Sequence, residues 1–461
     1  MNKAYHFIGI GGIGMSGIAQ LLLRSGSHVT GSDLKENKVT EELKKLGAVI
    51  FIGHKAGNVK DAALVVYSSA IKDDNPEIRE AKRLGIPLIK RAQALAELMK
   101  NKSVITVSGS HGKTTTTSLV SYMLIQSGAC PSVAIGGILR NIDTNACLGE
   151  GKYFVAEADE SDGSFLYYHP KYSIITNIDR EHLDYYRDFE SEVRAFKGFL
   201  NNTQEGGCVF ACDDDANIKG ILSDYKGRHV LFGLRESAEI YPKNIRLNGL
   251  SSEFDCFYRS KFVDRFYLAL GGMHNVSNAL SVIALGLELG VDLGVIKKTL
   301  SDYKGAGRRL EIKYDGDGII LLDDYAHHPT EIQATLSAAK NLKHNRLIAV
   351  FQPHRYTRTK LLLDEFGRSF SSADTVVITD IYAASEPPIE GVSGRSIYEK
   401  IKENFSEKQV YFLPKQEIVN FVLSEARPGD LVVTLGAGDI IKVCEEMADR
   451  LNDKVLRTVK K

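Results

Sequence analysis

Short apolar runs alternate along this chain with segments in which apolar residues recur every three or four positions. Continuous apolar runs are typical of strands buried on both faces, and the three-to-four spacing is typical of helices that cover them. In the N-terminal part the predicted strands and helices occupy residues 5–10, 15–24, 28–31, 40–46, 48–51 and 64–67. The pattern therefore predicts a parallel α/β domain over residues 1–98.

The same alternation continues and predicts two further α/β units. The second has predicted strands at 153–157, 173–177 and 207–211 and a helix at 274–289. The third has predicted strands at 319–322, 346–351, 375–379 and 431–435, after a glycine-rich linker at 305–307. We therefore predict three α/β domains in series, over residues 1–98, 99–307 and 308–461.

Composition excludes several classes of function. The 461 residues include 58 basic and 58 acidic side chains, so no net positive field favours nucleic acid. The six cysteines lack C-x-x-C spacing, which indicates reduced, structural thiols. Because we find no signal-type segment and no apolar run of 18 residues or more, we expect a cytoplasmic protein without membrane insertion. Composition leaves the oligomeric state open between monomer and homodimer.

A phosphate-binding loop is predicted after the apolar run at 104–107, where the sequence reads Ser-Gly109-Ser-His-Gly112-Lys113-Thr114-Thr-Thr-Thr. Backbone N–H groups in such a turn converge at a helix N-terminus, which favours an anion. Lys113 would reach the β and γ phosphates, and Thr114 would bind Mg²⁺. The two glycines are closer together than in the usual P-loop. The alternative is a glycine turn that begins a helix and leaves the lysine in solvent.

Two acidic segments follow predicted strands. Glu157-Ala-Asp-Glu-Ser-Asp comes after the strand at 153–157, and Asn177-Ile-Asp-Arg-Glu-His182 comes after the next one. Ligands of open α/β sheets bind at the carboxyl ends of strands, so Glu157 and His182 are candidate ligands of Mg²⁺, with Mn²⁺ as an alternative. Solvated loop charges are the other interpretation.

The first strand–helix turn carries Gly9-Ile-Gly11-Gly12-Ile-Gly14, and Asp33 ends the next predicted strand at the spacing of a ribose ligand. Taken alone, this pattern predicts an NAD-dependent dehydrogenase.

Other polar residues are candidate ligands of a nucleotide or an amino acid. His274, Asn275 and Asn278 lie on the first turn of a long helix and could face adenine or ribose, although Asn275 could simply cap that helix. Arg308, in the glycine-rich linker, could swing onto a γ-phosphate when the domains close.

The third domain offers two clusters, each directly after a predicted strand. They read Asp-Asp324-Tyr325-Ala-His327-His328-Pro and Gln-Pro-His-Arg355-Tyr-Thr-Arg358. Two adjacent histidines cannot both face one site, so one of the pair is expected to be structural. The two arginines, three residues apart, share a helix face that would hold a carboxylate.

Taken in order, these motifs resemble those of the Mur ligase family over nearly the whole chain. The resemblance implies a Rossmann-like N-terminal domain that binds the UDP of a substrate and not NAD, a central P-loop ATPase-type domain that binds ATP, and a Rossmann-like C-terminal domain that binds the amino acid. It implies an ATP-dependent ligase of the alanine-adding branch, which joins L-alanine to the lactyl carboxylate of UDP-N-acetylmuramic acid through an acyl phosphate, in peptidoglycan precursor synthesis.

The resemblance also assigns roles to residues. ATP is expected at Gly109, Ser110, His111, Gly112, Lys113, Thr114, Thr115, His274, Asn275, Asn278, Arg308 and Asp324. The UDP-sugar is expected at Gly9, Gly11, Gly12, Gly14, Asp33, His54, Ser69, Arg91, Ser161 and Asn177. L-Alanine is expected at Tyr325, His327, Arg355 and Arg358. The expected catalytic residues are Lys113, Glu157, His182 and Arg308, and the expected metal ligands are Thr114, Glu157 and His182.

Three alternatives remain beside the alanine-adding ligase. A murein-peptide-recycling ligase would add a tripeptide to the same UDP-sugar, and it shares most of these motifs. A dehydrogenase would leave the phosphate loop without a use, and a non-catalytic ATP-binding switch would leave the carboxylate and arginine clusters without one. Several relatives carry a carbamylated lysine near their metals, and Lys197 lies at a suggestive distance from His182. The local sequence favours a surface position for Lys197.

Overall fold

The computed structural model describes residues 3–68 and 71–459. Their strands form three sheets, of five, ten and six strands. The chain divides into two compact units. The first runs to Lys243 and includes Asp255–Phe266 and Ser277–Ala306; the second comprises Asn244–Phe254, Tyr267–Val276 and the chain from Gly307 onward. Within the described ranges, no helix combines the length and the apolar character that a membrane crossing needs.

The first sheet is parallel throughout, with the order β3-β2-β1-β4-β5. Its strands are β1 (Ala4–Ile8), β2 (His28–Asp33), β3 (Val49–Ile52), β4 (Leu64–Tyr67) and β5 (Leu88–Lys90). Its helices are α1 (Ile13–Arg24), α2 (Lys38–Lys45), α3 (Pro76–Leu84) and α4 (Arg91–Met99), with a short 3₁₀ helix at Ala56–Val59. β1 ends two residues before its predicted end, because the chain turns at Gly9, whose φ is +80°.

The second sheet has the order β15-β14-β13-β12-β11-β10-β6-β9-β7-β8. Its strands are β6 (Ser103–Ser108), β7 (Ser132–Leu139), β8 (Thr144–Cys147), β9 (Tyr153–Glu157), β10 (Tyr172–Ile175), β11 (Cys208–Cys212), β12 (His229–Phe232), β13 (Ile240–Asn248), β14 (Ser251–Tyr258) and β15 (Lys261–Leu268). The helices in this part of the chain are α5 (Lys113–Gln126), α6 (Leu183–Tyr186), α7 (Phe189–Asn201), α8 (Ala216–Leu222), α9 (Met273–Glu288) and α10 (Leu293–Ser301), with a 3₁₀ turn at Ser164–Tyr167. The strand of the phosphate loop, β6, lies between β9 and β10 and is parallel to both.

The third sheet has the order β16-β17-β21-β18-β19-β20 and is parallel except for the β16–β17 pair. Its strands are β16 (Glu311–Gly316), β17 (Ile319–Asp324), β18 (Arg346–Phe351), β19 (Thr375–Ile378), β20 (Gln409–Phe412) and β21 (Asp430–Leu435). Its helices are α11 (Pro329–Ala339), α12 (Tyr356–Leu361), α13 (Leu363–Arg368), α14 (Gly394–Asn404), α15 (Lys415–Glu425) and α16 (Ile440–Val459). Apolar side chains of the sheet pack into two cores, as expected for a parallel sheet covered on both faces.

Candidate active site

The phosphate loop joins β6 to α5, and its backbone requires glycine. Gly109 has a φ of +131°, and a Cβ there would lie 2.1 Å from Oγ1 of Thr176. Gly112, with a φ of +83°, is the N-cap of α5. The amide of Asn177 braces the loop from β10: Oδ1 accepts from the backbone N–H of His111 at 2.8 Å, and Nδ2 donates to the carbonyl of His111 at 3.0 Å. The turn therefore presents its N–H groups at a helix N-terminus in a fixed shape.

Lys113 places a positive charge inside this loop. Its Nζ donates to the carbonyl oxygens of Gly109 at 2.6 Å and Ser110 at 3.0 Å, and to Oε1 of Glu160 at 2.7 Å. The Glu160 side chain is completely buried. Burial alone would lower the pKa of Lys113. The combined attraction of Glu160 and the neighbouring carboxylates is larger and raises the pKa above its usual value, so the lysine is charged.

Thr114 and Glu157, predicted as metal ligands, are in direct contact. The Thr114 hydroxyl donates to Oε2 of Glu157 at 2.9 Å, and the backbone N–H of Gly136 donates to the same oxygen at 3.0 Å. Burial raises the pKa of the Glu157 carboxyl group. Hard oxygen donors of this kind suit Mg²⁺.

His182 lies in a second acidic cluster, which the sequence reasoning did not assemble. Its Nε2 is 3.5 Å from Oε1 of Glu160 and 3.4 Å from Oε2 of Glu181. Burial lowers the pKa of His182, but hydrogen bonds to the two carboxylates raise it to about 10. The ligand atoms of these three side chains lie within 4.8 Å of one another and could hold a divalent cation. The available signal was that carboxylates follow two strands in succession.

The sheet order explains why these motifs meet. Because β6 is hydrogen-bonded to β9 on one side and to β10 on the other, in parallel, the carboxyl ends of all three strands lie at the same edge of the sheet. The phosphate loop follows β6, the segment from Glu157 follows β9, and the segment from Asn177 to His182 follows β10. Residues as far apart in sequence as Lys113 and Glu160 are therefore brought into contact.

In the first domain, several of the residues predicted to bind the UDP-sugar surround the first glycine turn. The Gly11 N–H donates to Oδ2 of Asp33 at 2.8 Å. Arg91 packs so closely on the turn that a Cβ at Gly14 would lie 2.9 Å from its Nη1. Arg91 Nη2 also lies 3.5 Å from Oδ2 of Asp159 in the acidic segment after β9. This arrangement links the glycine turn to that acidic segment.

The remaining residues of that predicted set are placed differently. His54 belongs to a buried hydrogen-bonded group described below. The backbone N–H of Ser161 donates to Oδ1 of Asp159 at 3.1 Å. Asn177 braces the phosphate loop, as described above. Ser69 lies outside the described residues.

The predicted ATP ligands are divided between the two units. Asn278, in the first unit, lies against the phosphate loop, with Oδ1 2.7 Å from the position that a Cβ on Gly112 would occupy. His274 and Asn275 belong to the second unit, at the start of α9. Asn275 Nδ2 donates to the carbonyl of Gly271 at 2.8 Å.

Arg308 also lies in the second unit, where the sequence suggested a mobile linker arginine. The structure instead holds its guanidinium against β17 and the loop after β21, through Oδ2 of Asp323 at 2.8 Å and the carbonyl of Gly436 at 2.6 Å. The buried Asp323 carboxylate needs a charged partner, which is the physical reason for this position.

Asp324 and the two histidines after it are used in different ways. Asp324 accepts hydrogen bonds from the backbone of Leu310 and Ala326, and burial raises its pKa to about 6. His328 is buried and caps α11, so it is the structural member of the pair. Nδ1 of His327 lies 3.2 Å from Oε2 of Glu331.

Three of the predicted alanine ligands, Tyr325, His327 and Arg358, belong to a cationic, aromatic group in the second unit. The guanidinium of Arg308 lies 5.1 Å from the centre of the Tyr325 ring. The rings of Tyr325 and His327 are 5.4 Å apart, and His327 in turn lies 5.6 Å from His354. Arg358 Nη1 donates to Nδ1 of His354 at 3.2 Å. In the same loop, Arg355 Nη1 is 3.7 Å from Oε1 of Glu386.

Lys197 lies on the surface, as the local sequence favoured. Its Nζ forms a 2.7 Å ion pair with Asp224, and its side chain is 42% exposed.

Comparison with known protein families covers most of the chain. The model of the "Mur ligase family, catalytic domain" matches residues 4–103, that of the "Mur ligase middle domain" matches 107–286, and that of the "Mur ligase, glutamate ligase domain" matches 308–438. A UDP-N-acetylmuramate–L-alanine ligase of Syntrophus aciditrophicus is 46% identical over 97% of this chain and 93% of its own length. A ligase of the same name from Sulfurihydrogenibium is 48% identical over 98% of both chains.

Solved structures agree with the sequence comparison. The crystal structure of a UDP-N-acetylmuramate-alanine ligase from Thermotoga maritima aligns with 98% of this chain and 100% of its own, with a TM-score of 0.85 and 31% identity. A murein peptide ligase from Psychrobacter arcticus aligns with 97% of this chain and 98% of its own, with a TM-score of 0.73 and 25% identity.

Proposed function

Because the chain belongs to the Mur ligase family, we propose that it is an ATP-dependent ligase that joins L-alanine to the lactyl carboxylate of UDP-N-acetylmuramic acid. The observation that carries the proposal is the cluster of Lys113, Thr114 and Glu157 at the carboxyl edge of the second sheet. The relatives named for this reaction support the choice of substrates. Family membership also favours a ligase over the dehydrogenase and the ATP-binding switch.

The proposed chemistry has two steps. An amine does not displace oxide from a carboxylate, so the γ-phosphoryl group of ATP first moves to a carboxylate oxygen, giving an acyl phosphate and ADP. The alanine nitrogen then attacks the carbonyl carbon, and phosphate leaves with that oxygen. Charge builds on the phosphoryl oxygens in the first step, and the ammonium of Lys113 is the group in the loop that stabilises it.

The residues beside the loop fit a divalent cation. Thr114 and Glu157 provide hard oxygen donors. Within residues 3–68 and 71–459, Oε2 of Glu160 is buried without a hydrogen-bond partner, as expected of a potential ligand atom. When bound, Mg²⁺ would supply positive charge that offsets the charge of the phosphates. His182 with Glu160 and Glu181 offers a second set of donors.

The other substrates are assigned to the remaining clusters. The glycine turn after β1, with Asp33 and Arg91, would hold the UDP moiety by the helix-terminus interactions that favour pyrophosphate. Arg355 and Arg358 would bind the carboxylate of L-alanine, with Tyr325 and His327 beside its amine. The cytoplasmic location expected from the sequence stays a prediction.

Phosphate release tests the proposal. Purified protein, ATP, Mg²⁺ and UDP-N-acetylmuramic acid are combined with L-alanine, glycine or L-alanyl-γ-D-glutamyl-diaminopimelate. We expect fast release with L-alanine. Release with glycine should be slower but still measurable, because one methyl group gives only about 1–3 kcal/mol of discrimination. Faster release with the tripeptide than with L-alanine would indicate that the protein catalyses the recycling reaction instead. No stimulation by any amine would refute the ligase proposal.

A further inference from the structure

A buried carboxylate in the first domain has no role in the proposed reaction. Glu77 lies on the first turn of α3, and its side chain is completely buried. Oε2 accepts a hydrogen bond from the hydroxyl of Ser32 at 2.6 Å, and Oε1 accepts one from Nδ2 of Asn58 at 2.5 Å. Burial raises the pKa of Glu77, but the nearby His6 ring, with Nε2 3.7 Å from Oε2, and the hydrogen bonds from Ser32 and Asn58 outweigh burial and lower the pKa below its usual value. Glu77 is therefore ionised and can only accept hydrogen bonds.

This carboxylate determines which nitrogen of His54 carries the proton. Nδ1 of His54 lies 2.9 Å from Oγ of Ser32 and 3.3 Å from Oε2 of Glu77. The single hydroxyl proton of Ser32 is donated to Glu77, so Oγ of Ser32 must accept from its other neighbour. Both atoms near Nδ1 are acceptors, and a lone pair on Nδ1 would be repelled by both. Nδ1 therefore carries hydrogen, and in the neutral ring Nε2 carries the lone pair.

The strand order indicates which part of a bound nucleotide would lie near His54. The phosphate-binding turn follows β1, Asp33 ends the neighbouring β2, and His54 follows β3, the next strand outward. A nucleotide on such a sheet runs from phosphate at the first strand to ribose at the acidic residue of the second, which places its base near the end of the third. The His54 side chain keeps 13% exposure. No hydrogen bond to its Nε2 occurs in the described part of the chain.

We propose that Glu77 is a positioning residue for nucleotide selection: it holds His54 in the Nδ1–H tautomer, so that the Nε2 lone pair accepts the imide N–H of uracil. Cytosine presents a lone pair at the equivalent ring nitrogen and would be repelled. This inference rests on the proposed function, because it requires a uridine nucleotide in the first domain.

The first test is made on the unmodified protein. Nitrogen NMR of ¹⁵N-histidine-labelled protein separates the two neutral tautomers and the imidazolium, and a His54→Gln sample identifies the signal of His54. We expect the Nδ1–H form, with a change at Nε2 when UDP is added. A proton on Nε2 in the absence of nucleotide would overturn the inference, whatever the variants do.

The second test compares binding and turnover in Glu77→Gln, whose side chain has nearly the same shape but no charge. We expect the KM for the UDP-sugar to rise about tenfold, the effect of one hydrogen bond. The kcat and the KM values for ATP and L-alanine should stay within about twofold. By calorimetry, the wild-type preference for UDP over CDP should shrink in the variant.

A matched variant separates positioning from general damage to the domain. Ser32→Ala also removes a polar group from this cluster but leaves Glu77 beside Nδ1 of His54, so we expect the tautomer and the preference for UDP to persist. Equal loss of that preference in both variants would overturn the inference, as would an unchanged preference in Glu77→Gln. Wild-type protein that neither turns over the UDP-sugar nor binds UDP would instead refute the proposed function.

Discussion

Replacing Lys113 with methionine removes one charge from a buried pair and leaves the shape of the side chain nearly unchanged. The ammonium donates to two loop carbonyls and to Oε1 of Glu160, whose side chain has no exposed surface. In Lys113→Met, His182 remains near Glu160, at 3.5 Å. The variant therefore leaves a buried carboxylate only partly compensated.

Two separate magnitudes follow from this arrangement. Breaking a buried ion pair by removing one partner costs about 3–5 kcal/mol, and we expect about 3 kcal/mol here because His182 still faces Glu160. Turnover should fall by a factor of about 10³, the upper end for loss of one group that stabilises transition-state charge. Affinity for UDP should not change, because its proposed site lies on the first sheet.

The assay combines urea unfolding, phosphate release and calorimetric UDP binding on the wild-type protein and three variants. The double variant Lys113→Met/Glu160→Gln removes both buried charges, so it should recover about 2 kcal/mol of the lost stability but none of the turnover. Lys197→Met is the matched control, because Lys197 pairs with Asp224 on the surface. Surface pairs contribute about 0–1 kcal/mol, and we expect full activity in this control.

Three outcomes would refute this reasoning. A double variant no more stable than Lys113→Met would mean that Glu160 is not left uncompensated. Turnover above about a tenth of the wild-type value in Lys113→Met would show that Lys113 does not stabilise the transition state of phosphoryl transfer. Loss of turnover in Lys197→Met would instead indicate that the surface lysine takes part, as a carbamylated lysine would.

Further expectations concern the metal, the nucleotide and pH. Thr114→Val removes the hydroxyl beside Glu157, so the Mg²⁺ concentration for half-maximal phosphate release should rise about tenfold, and an unchanged Mg²⁺ titration would contradict that role. Arg91→Gln should raise the KM for the UDP-sugar about tenfold and leave that for ATP unchanged, as steady-state kinetics can show. Burial raises the pKa of Asp324 to about 6, against about 4 unfolded, so the folded state binds the extra proton between these values and stability falls as pH rises through this window. Urea unfolding should therefore show Asp324→Asn gaining about 2 kcal/mol relative to wild type between pH 4.5 and 7.5, and a constant difference would contradict the shift.

Much of the fold was predictable because its core strands are buried on both faces. The strands β4, β9 and β18 have the predicted bounds. The strands β13 and β15 were missed, since exposed residues interrupt their apolar positions and no long continuous apolar run marks them. The three-domain α/β architecture predicted from the pattern is confirmed by the family matches and the Thermotoga maritima structure. The predicted domain limits stay a prediction.

The candidate site was only partly predictable for a different reason. The phosphate loop is a local feature: its glycines, Lys113 and Thr114 are consecutive or nearly so, and their geometry depends on one turn. The partner of Lys113 depends on the sheet, because Glu160 meets it only when β9 pairs with β6. The guanidinium of Arg308 looked mobile in a glycine-rich segment, yet a buried carboxylate on β17 holds it.

Backbone turns, apolar strand runs and helix faces are determined by residues that are close together in the sequence. Local sequence is therefore enough to place the glycine loops and the acidic segments. Contacts across strands depend on strand order and on which side chains lose water, and no short window of sequence contains that information. The contact between Glu77 and His54 is of this second kind: the two residues lie 23 positions apart, and the Glu77 side chain is completely buried, so its hydrogen-bond partners are protein groups.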